Sequence, residues 1–199
     1  MFIRQIKVGY MDVFSYIVGC PLTKEAAVID PGGDVERIVS EAGREGYTIK
    51  FILNTHNHSD HTAGNNQLKE LTGAKIAMSA LDARKRDVDI RLDTESTFRV
   101  GEIDLRIFST PGHTPGGVCF YAEGNLFTGD TLFVGDSGRT DLPGGDRPSL
   151  GRSIRKLMEL PEDTVVWPGH DYGPTPHSTI KWEKLNNVNA REYGYYAGE

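Results

Sequence analysis

The sequence predicts a mixed α/β domain, and two observations carry that reading. Apolar strand-like runs alternate with helical stretches along all 199 residues, with no linker, repeat or low-complexity tract between them. Four of those runs end in glycine-rich or polar turns that hold a potential metal ligand: the loop His56–His61, then His113, Asp130 and His170. Chemistry collected at strand ends along one rim is a familiar arrangement in α/β proteins. A chain of 199 residues can bury one sizeable core, so a single domain over 1–199 is expected.

Residues 2–8 and 13–19 read as two strands joined at Gly9-Tyr10-Met11-Asp12, and 25–30 as a third, buried strand. Asp30-Pro31-Gly32-Gly33 then breaks the chain. Asp34 is expected to cap a helix of about twelve residues, with Val35, Ile38, Val39 and Ala42 on its apolar side. Asp30 itself reads as a turn or cap residue in preference to a carboxylate behind a metal ligand. Thr48–Leu53 is the next strand and delivers the histidine loop. A second helix is expected from Thr62 to Leu71, ended by Gly73, with a strand at Ala74–Ser79. Residues 81–93 mix both charge signs and read as a solvated connection. Its basic run Arg84-Lys85-Arg86 is taken as part of that surface in preference to a binding patch.

Ile103, Leu105 and Ile107 alternate with Asp104 and Arg106, the mark of a half-buried strand. It runs into the turn-rich Ser109–Gly117, which carries His113. Residues 118–121 and 125–128 read as a hairpin whose second strand delivers Asp130, and 131–146 as a loop rich in Gly and Asp. A helix over Ser149–Leu160, a strand over Thr164–Trp167 leading to His170, and a short helix over 179–187 complete the pattern. The aromatic run Tyr193-Gly194-Tyr195-Tyr196 closes it.

Composition narrows the class. The formal net charge of −6 disfavours nucleic acid or an anionic membrane surface as partner. No apolar run approaches the ~20 residues of a membrane-spanning helix, and the N-terminus does not read as a signal peptide. Cys20 and Cys119 form no CxxC pair and are expected to be reduced core thiols in a cytoplasmic protein.

Three of the chain's six histidines, with Asp60, fall within six residues at Thr55-His56-Asn57-His58-Ser59-Asp60-His61. That spacing does not suit one helical face, but it does suit a tight loop fanned around a metal. The cluster cannot close a two-metal site alone, so His113, Asp130 and His170 become candidate ligands with it. Two four- to five-coordinate ions need about eight positions, some left to solvent. His56, His58 and His113 could hold one ion and Asp60, His61 and His170 the other, with Asp130 bridging. A solvent molecule shared by such ions would ionise near neutral pH and give a hydroxide nucleophile. The catalytic carboxylates would then be Asp60 and Asp130.

The motifs T-H-x-H-x-D-H (Thr55–His61), P-G-H-T-P-G (Pro111–Gly116), F-T-G-D-T-L-F (Phe127–Phe133) and P-G-H-D-Y (Pro168–Tyr172) resemble those of the metallo-β-lactamase superfamily. The resemblance implies a four-layer αβ/βα sandwich, two mixed sheets with helices outside. Within the superfamily the chain is similar to glyoxalase II (hydroxyacylglutathione hydrolase) and to persulfide dioxygenases. That likeness implies the seven ligands named above, with Arg139 and Tyr172 touching a glutathione moiety. It implies hydrolysis of a glutathione-type thioester, a small-molecule thiol conjugate, by hydroxide on two divalent ions. Zinc comes first among the metals, iron or manganese next. The helical C-terminal domain of glyoxalase II is expected to be lacking. The alternative is a single iron on His56, His113 and Asp130 that oxidises glutathione persulfide. A further alternative is another ester, lactone or phosphoester substrate.

Overall fold

The structure, a computed structural model, describes residues 1–85 and 87–192. The first half of the chain builds one sheet. Strands β1 (Phe2–Val8), β2 (Val13–Gly19) and β3 (Glu25–Ile29) pair antiparallel with one another in that order. Strands β4 (Thr48–Asn54), β5 (Lys75–Ser79) and β6 (Ile90–Leu92) continue it in parallel, so the spatial order equals the chain order. Helix α1 (Val35–Arg44) makes the β3–β4 crossover. The next crossover holds α2 (Ser59–Thr62) and α3 (Asn65–Thr72).

The second half builds the other sheet from β7 (Thr97–Val100), β8 (Ile103–Ser109), β9 (Val118–Ala122), β10 (Asn125–Gly129), β11 (Val165–Pro168) and β12 (Ser178–Thr179). Only β10–β11 is parallel, and its crossover contains α4 (Arg147–Met158). Helices α5 (Ile180–Asn186) and α6 (Val188–Glu192) follow.

Strand alternation divides the apolar side chains among three cores. Phe14, Tyr16, Ala27 and Ile29 face Leu105, Ile107, Phe120 and Phe127 between the sheets. Their strand neighbours Ile17, Ala26 and Val28 point the other way and meet Ile38, Ala42 and Leu68 of α1 and α3. Leu126 and Val166 do the same on the opposite sheet, under Leu150, Ile154 and Leu157 of α4. Period two in the strands and 3.6 in the helices thus give the expected αβ/βα sandwich. Cys20 and Cys119 are both buried and unbridged, each in a different core.

Several local expectations need correction. Helix α1 has 10 residues, and Asp34 sits before it in the left-handed region at φ 49°, so its carboxylate does not cap the helix. It accepts the Gly9 N–H at 3.0 Å instead and ties the β1–β2 turn to α1. The second helix is two pieces, beginning at Ser59, because the chain must turn at Ala63–Gly64 to clear Pro31. Helix α4 begins at Arg147, where Asp146 caps the Ser149 N–H and Pro148 occupies the first turn. Residues 81–93 are not simply solvated: a 3₁₀ turn over Asp82–Lys85 and β6 lie within them, with Asp82, Ala83 and Leu92 buried. Strands β7 and β12 and helix α6 carried no distinct pattern. Arg86 of the basic run and the aromatic tail Tyr193–Tyr196 lie outside the described residues.

Candidate metal centre

All the predicted ligands meet along one edge of the sandwich, where β4, β8, β10 and β11 end. An antiparallel bridge between Val13 and His170, with a 2.8 Å bond from Phe14 N–H to the Gly169 carbonyl, closes the two sheets there. The β4 loop brings His56 and His58, and α2 brings Asp60 and His61. His113 comes from the loop after β8, Asp130 from the residue after β10, and His170 from the loop after β11. Gly129, at φ 49°, lets β10 turn into Asp130, and a Cβ there would lie 2.3 Å from Thr55 Oγ1.

Two groups of donors result. Ligand atoms of His56, His58 and His113 lie within 4.8 Å of one another, as do those of Asp60, His61 and His170. Asp130 stands between the groups. One oxygen is 3.2 Å from His61 Nε2, and the other is 3.3 Å from both His113 Nε2 and His170 Nε2. A third grouping, Asp30, His56 and His61, is geometrically possible too. Hydrogen bonds already occupy Asp30, however. Its carboxylate accepts the Thr55 N–H at 2.8 Å, the Thr55 hydroxyl at 2.6 Å and the His61 Nδ1–H at 3.1 Å. Asp30 is therefore more than the turn residue expected. It orients His61 directly and His56 through Thr55, whose Oγ1 lies 3.0 Å from His56 Nδ1.

The outer hydrogen bonds also decide which ring nitrogen each histidine turns inward. His113 Nδ1 donates to the Arg139 carbonyl and His170 Nδ1 to the Met11 carbonyl, each at 2.7 Å. With Nδ1 of His56, His61, His113 and His170 so engaged, Nε2 of each neutral ring presents a lone pair to the centre. His58 turns Nδ1 inward, 2.9 Å from His113 Nε2, and His61 Nε2 lies 3.1 Å from His170 Nε2. Facing lone pairs at such distances repel unless a proton or a cation lies between them. His56 Nε2 and one Asp130 oxygen are buried with no hydrogen-bond partner. This donor chemistry fits metal ions.

Electrostatics separates the two groups. Burial, with the nearby His61 charge, holds His56 well below the usual histidine range, and burial with the His113 charge lowers His58. Burial also opposes charge on His61 and His170, but Asp130 overcomes it and both are raised. Asp130 answers in kind: the His61 charge outweighs burial and keeps its carboxyl well below the ordinary value.

A cavity of about 510 Å³ opens over Asp130 and both groups. Met11, Phe133 and Leu142 give it an apolar side, and Tyr172 and Arg139 line it as well. Tyr172 stacks on His170 with ring centroids 4.5 Å apart and donates its hydroxyl to the Met11 carbonyl at 3.2 Å. The Arg139 guanidinium forms a two-pronged pair with Asp141 at 2.6 and 2.7 Å. The Met11 carbonyl is a positioning group that side-chain patterns could not disclose. Glu183 and Asn187 were missed as well. Glu183 accepts the Gly135 N–H at 3.0 Å, and Asn187 donates to the Asp136 carbonyl at 2.9 Å, which pins the loop below Phe133.

Fold and site together define a metal-dependent enzyme of the αβ/βα sandwich class. The family model of the metallo-beta-lactamase superfamily matches residues 8–170, and the chain belongs to that superfamily. A hydroxyacylglutathione hydrolase of Rhodospirillum rubrum is 41% identical over 173 residues, covering 85% of this chain and 66% of that protein. The crystal structure of ETHE1 from Myxococcus xanthus superposes with a TM-score of 0.89 at 31% identity, covering 94% of this chain and 84% of that one. A di-iron-bound form of TTHA1623 gives 0.82 at 30% identity, covering 93% and 98%. The chain spans 62–66% of the length of the hydroxyacylglutathione hydrolases it matches. Among the described residues no helix is long and apolar enough to cross a membrane.

Proposed function

We propose that this enzyme hydrolyses a glutathione-type thioester using two divalent ions, zinc foremost. The observation that carries the proposal is the pair of three-donor groups sharing Asp130 on the floor of one cavity. Similarity to hydroxyacylglutathione hydrolases supports the substrate class. Bound there, the ions supply Lewis acidity and a water ionised near neutral pH. His56, His58 and His113 would hold one ion and Asp60, His61 and His170 the other, with Asp130 shared.

The chain's own residues do the rest. Asp30, Thr55 and the carbonyls of Met11 and Arg139 engage Nδ1 of His56, His61, His113 and His170, so these four rings keep Nε2 toward the centre. Asp130 stays anionic between the groups and balances positive charge there. Met11, Phe133 and Leu142 shelter the acyl portion from water. Arg139 binds a carboxylate of the thiol moiety with both prongs, and Tyr172 packs beside it. A thiolate is a good leaving group, so the site needs no strong general acid, in keeping with its stock of ligands. A cytoplasmic location belongs to the same proposal and is supported by the two buried, unbridged cysteines.

The test loads purified protein with zinc, counts metal per chain and follows cleavage of S-lactoylglutathione. Two zinc ions per chain with chelator-sensitive cleavage is the expected result. One iron per chain, with oxygen uptake on adding glutathione persulfide and no thioester cleavage, would establish the one-iron reading in its place.

A further inference from the structure

Asp82 is a buried carboxylate that the chemistry above does not use. It opens the 3₁₀ turn after β5 and is 3% exposed. One carboxylate oxygen accepts the Asn57 N–H at 3.1 Å and the Thr114 hydroxyl at 2.8 Å. The other accepts the Gly116 N–H at 2.8 Å, and the Asp82 carbonyl accepts the Asn57 amide at 3.2 Å. The fit is close: a Cβ on Gly116 would fall 2.5 Å from Asp82 Oδ1 and 2.6 Å from its backbone nitrogen.

Asn57 lies between His56 and His58, and Thr114 follows His113. A single carboxylate therefore grips two loops, far apart in sequence, that together supply every member of the first donor group. The second group is held by other means, namely Asp30 behind His61 and the Met11 carbonyl behind His170. We infer that Asp82 is the positioning residue of the first metal group, setting the distance between the His56–His58 loop and the His113 loop. It acts through backbone and hydroxyl anchors and touches neither metal nor substrate. Groups one shell removed from ligands typically shift metal affinity by about 10- to 100-fold. The inference rests on the proposed assignment of His56, His58 and His113 to one ion.

The test is zinc titration of metal-free protein against a competing chelator, repeated with cobalt(II) to follow the visible bands of each step. His58→Ala identifies the first-group step in the otherwise native chain. Asp82→Asn preserves volume but turns a donor toward one set of donors, so an acceptor is lost whichever way the amide faces. The expected result is a first-group step about 10- to 100-fold weaker with altered cobalt bands, an unchanged second step and a native circular dichroism spectrum. Equal weakening of both steps, or no weakening, overturns the inference. If Asp82→Asn does not fold, Thr114→Val decides, since it removes one 2.8 Å contact at constant shape. A few-fold loss confined to the first step supports the inference, and an unchanged step overturns it. Failure of the assignment is distinguishable: His58→Ala would then leave both steps as they were.

Discussion

The two donor groups lie side by side and share Asp130, yet they are built on opposite principles. The first, His56, His58 and His113, is three imidazoles backed by neutral groups: the Thr55 hydroxyl for His56 and the Arg139 carbonyl for His113. The second has a carboxylate of its own in Asp60 and another, Asp30, directly behind His61. The first is therefore a low-charge pocket that favours neutral ligands, and the second a carboxylate-rich pocket that favours cations. A cation in the first group keeps more of its charge uncompensated, which is what polarising a carbonyl requires. The second binds positive charge whether or not a metal is present. Under the proposed two-ion reading, this difference would give electrophilic work to the first group and anchoring to the second.

Asp130 is the joint between them, and its removal has the largest expected effect. Asp130→Ala should lower kcat/KM by about 10³-fold or more and weaken both metal-binding steps. Steady-state kinetics with parallel metal titration checks this, and loss of one step alone would break the symmetry of sharing. Asp30→Asn comes next. Its direct bond to His61 and its indirect hold on His56 predict about 10- to 100-fold weaker binding in the second group, with a smaller loss in the first. Equal losses would mean that Thr55 transmits the full effect.

Proton inventory sharpens the same contrast. His61 and His170 are raised and His56 and His58 lowered relative to about 6.5. In metal-free protein His61 and His170 therefore hold protons more readily than His56 and His58 do. Zinc uptake should release protons mainly from the second group, measurable by calorimetry in buffers of different ionisation enthalpy. By linkage the raised pair stabilises the metal-free fold below about pH 6.5, and that contribution fades as pH rises through their folded values. The lowered pair contributes above about pH 6.5 and loses its contribution as pH falls. Nitrogen chemical shifts of the four imidazoles across pH 5–9 would overturn the contrast if all four titrated together.

Much of this was legible in the residues because strand ends and ligand chemistry are local properties. The loop Thr55–His61 and the single residues His113, Asp130 and His170 each sit just past an apolar run, so the rim could be read before the fold was seen. The outer hydrogen bonds could not. Asp30 stands in Asp-Pro-Gly-Gly and carries the signature of a turn, which it also makes, through Gly32 N–H on its carbonyl at 2.8 Å. Asp82 lies amid Asp, Arg and Lys residues and gives no sign of burial. Its partners Asn57, Thr114 and Gly116 are 25 to 34 positions away. The Met11 carbonyl is backbone, and any residue there would supply it. Nine strands could be placed from apolar runs bounded by turn signals, whereas β6 and β12 are too short for a period to register and β7 shows no such pattern.

The smallest expected effect lies at the outer side of the cavity, on Arg139. Its fork now holds Asp141, whose carboxyl the guanidinium lowers to about 2, so both members stay charged near neutral pH. Both side chains are mostly exposed, at 63% and 66%, and solvent screens such a pair, so it contributes little. A substrate carboxylate can therefore displace Asp141 at little cost. Arg139→Ala should raise KM for an anionic thioester several-fold with kcat nearly unchanged, because it removes binding remote from the reacting bond. Asp141→Asn frees the fork and should lower KM by no more than a few-fold, because the exposed pair it removes is weak. A neutral thioester should show neither change. If Asp141→Asn raises KM as Arg139→Ala does, Asp141 is holding the guanidinium in place for substrate, and the pair is a preformed site instead of a competitor.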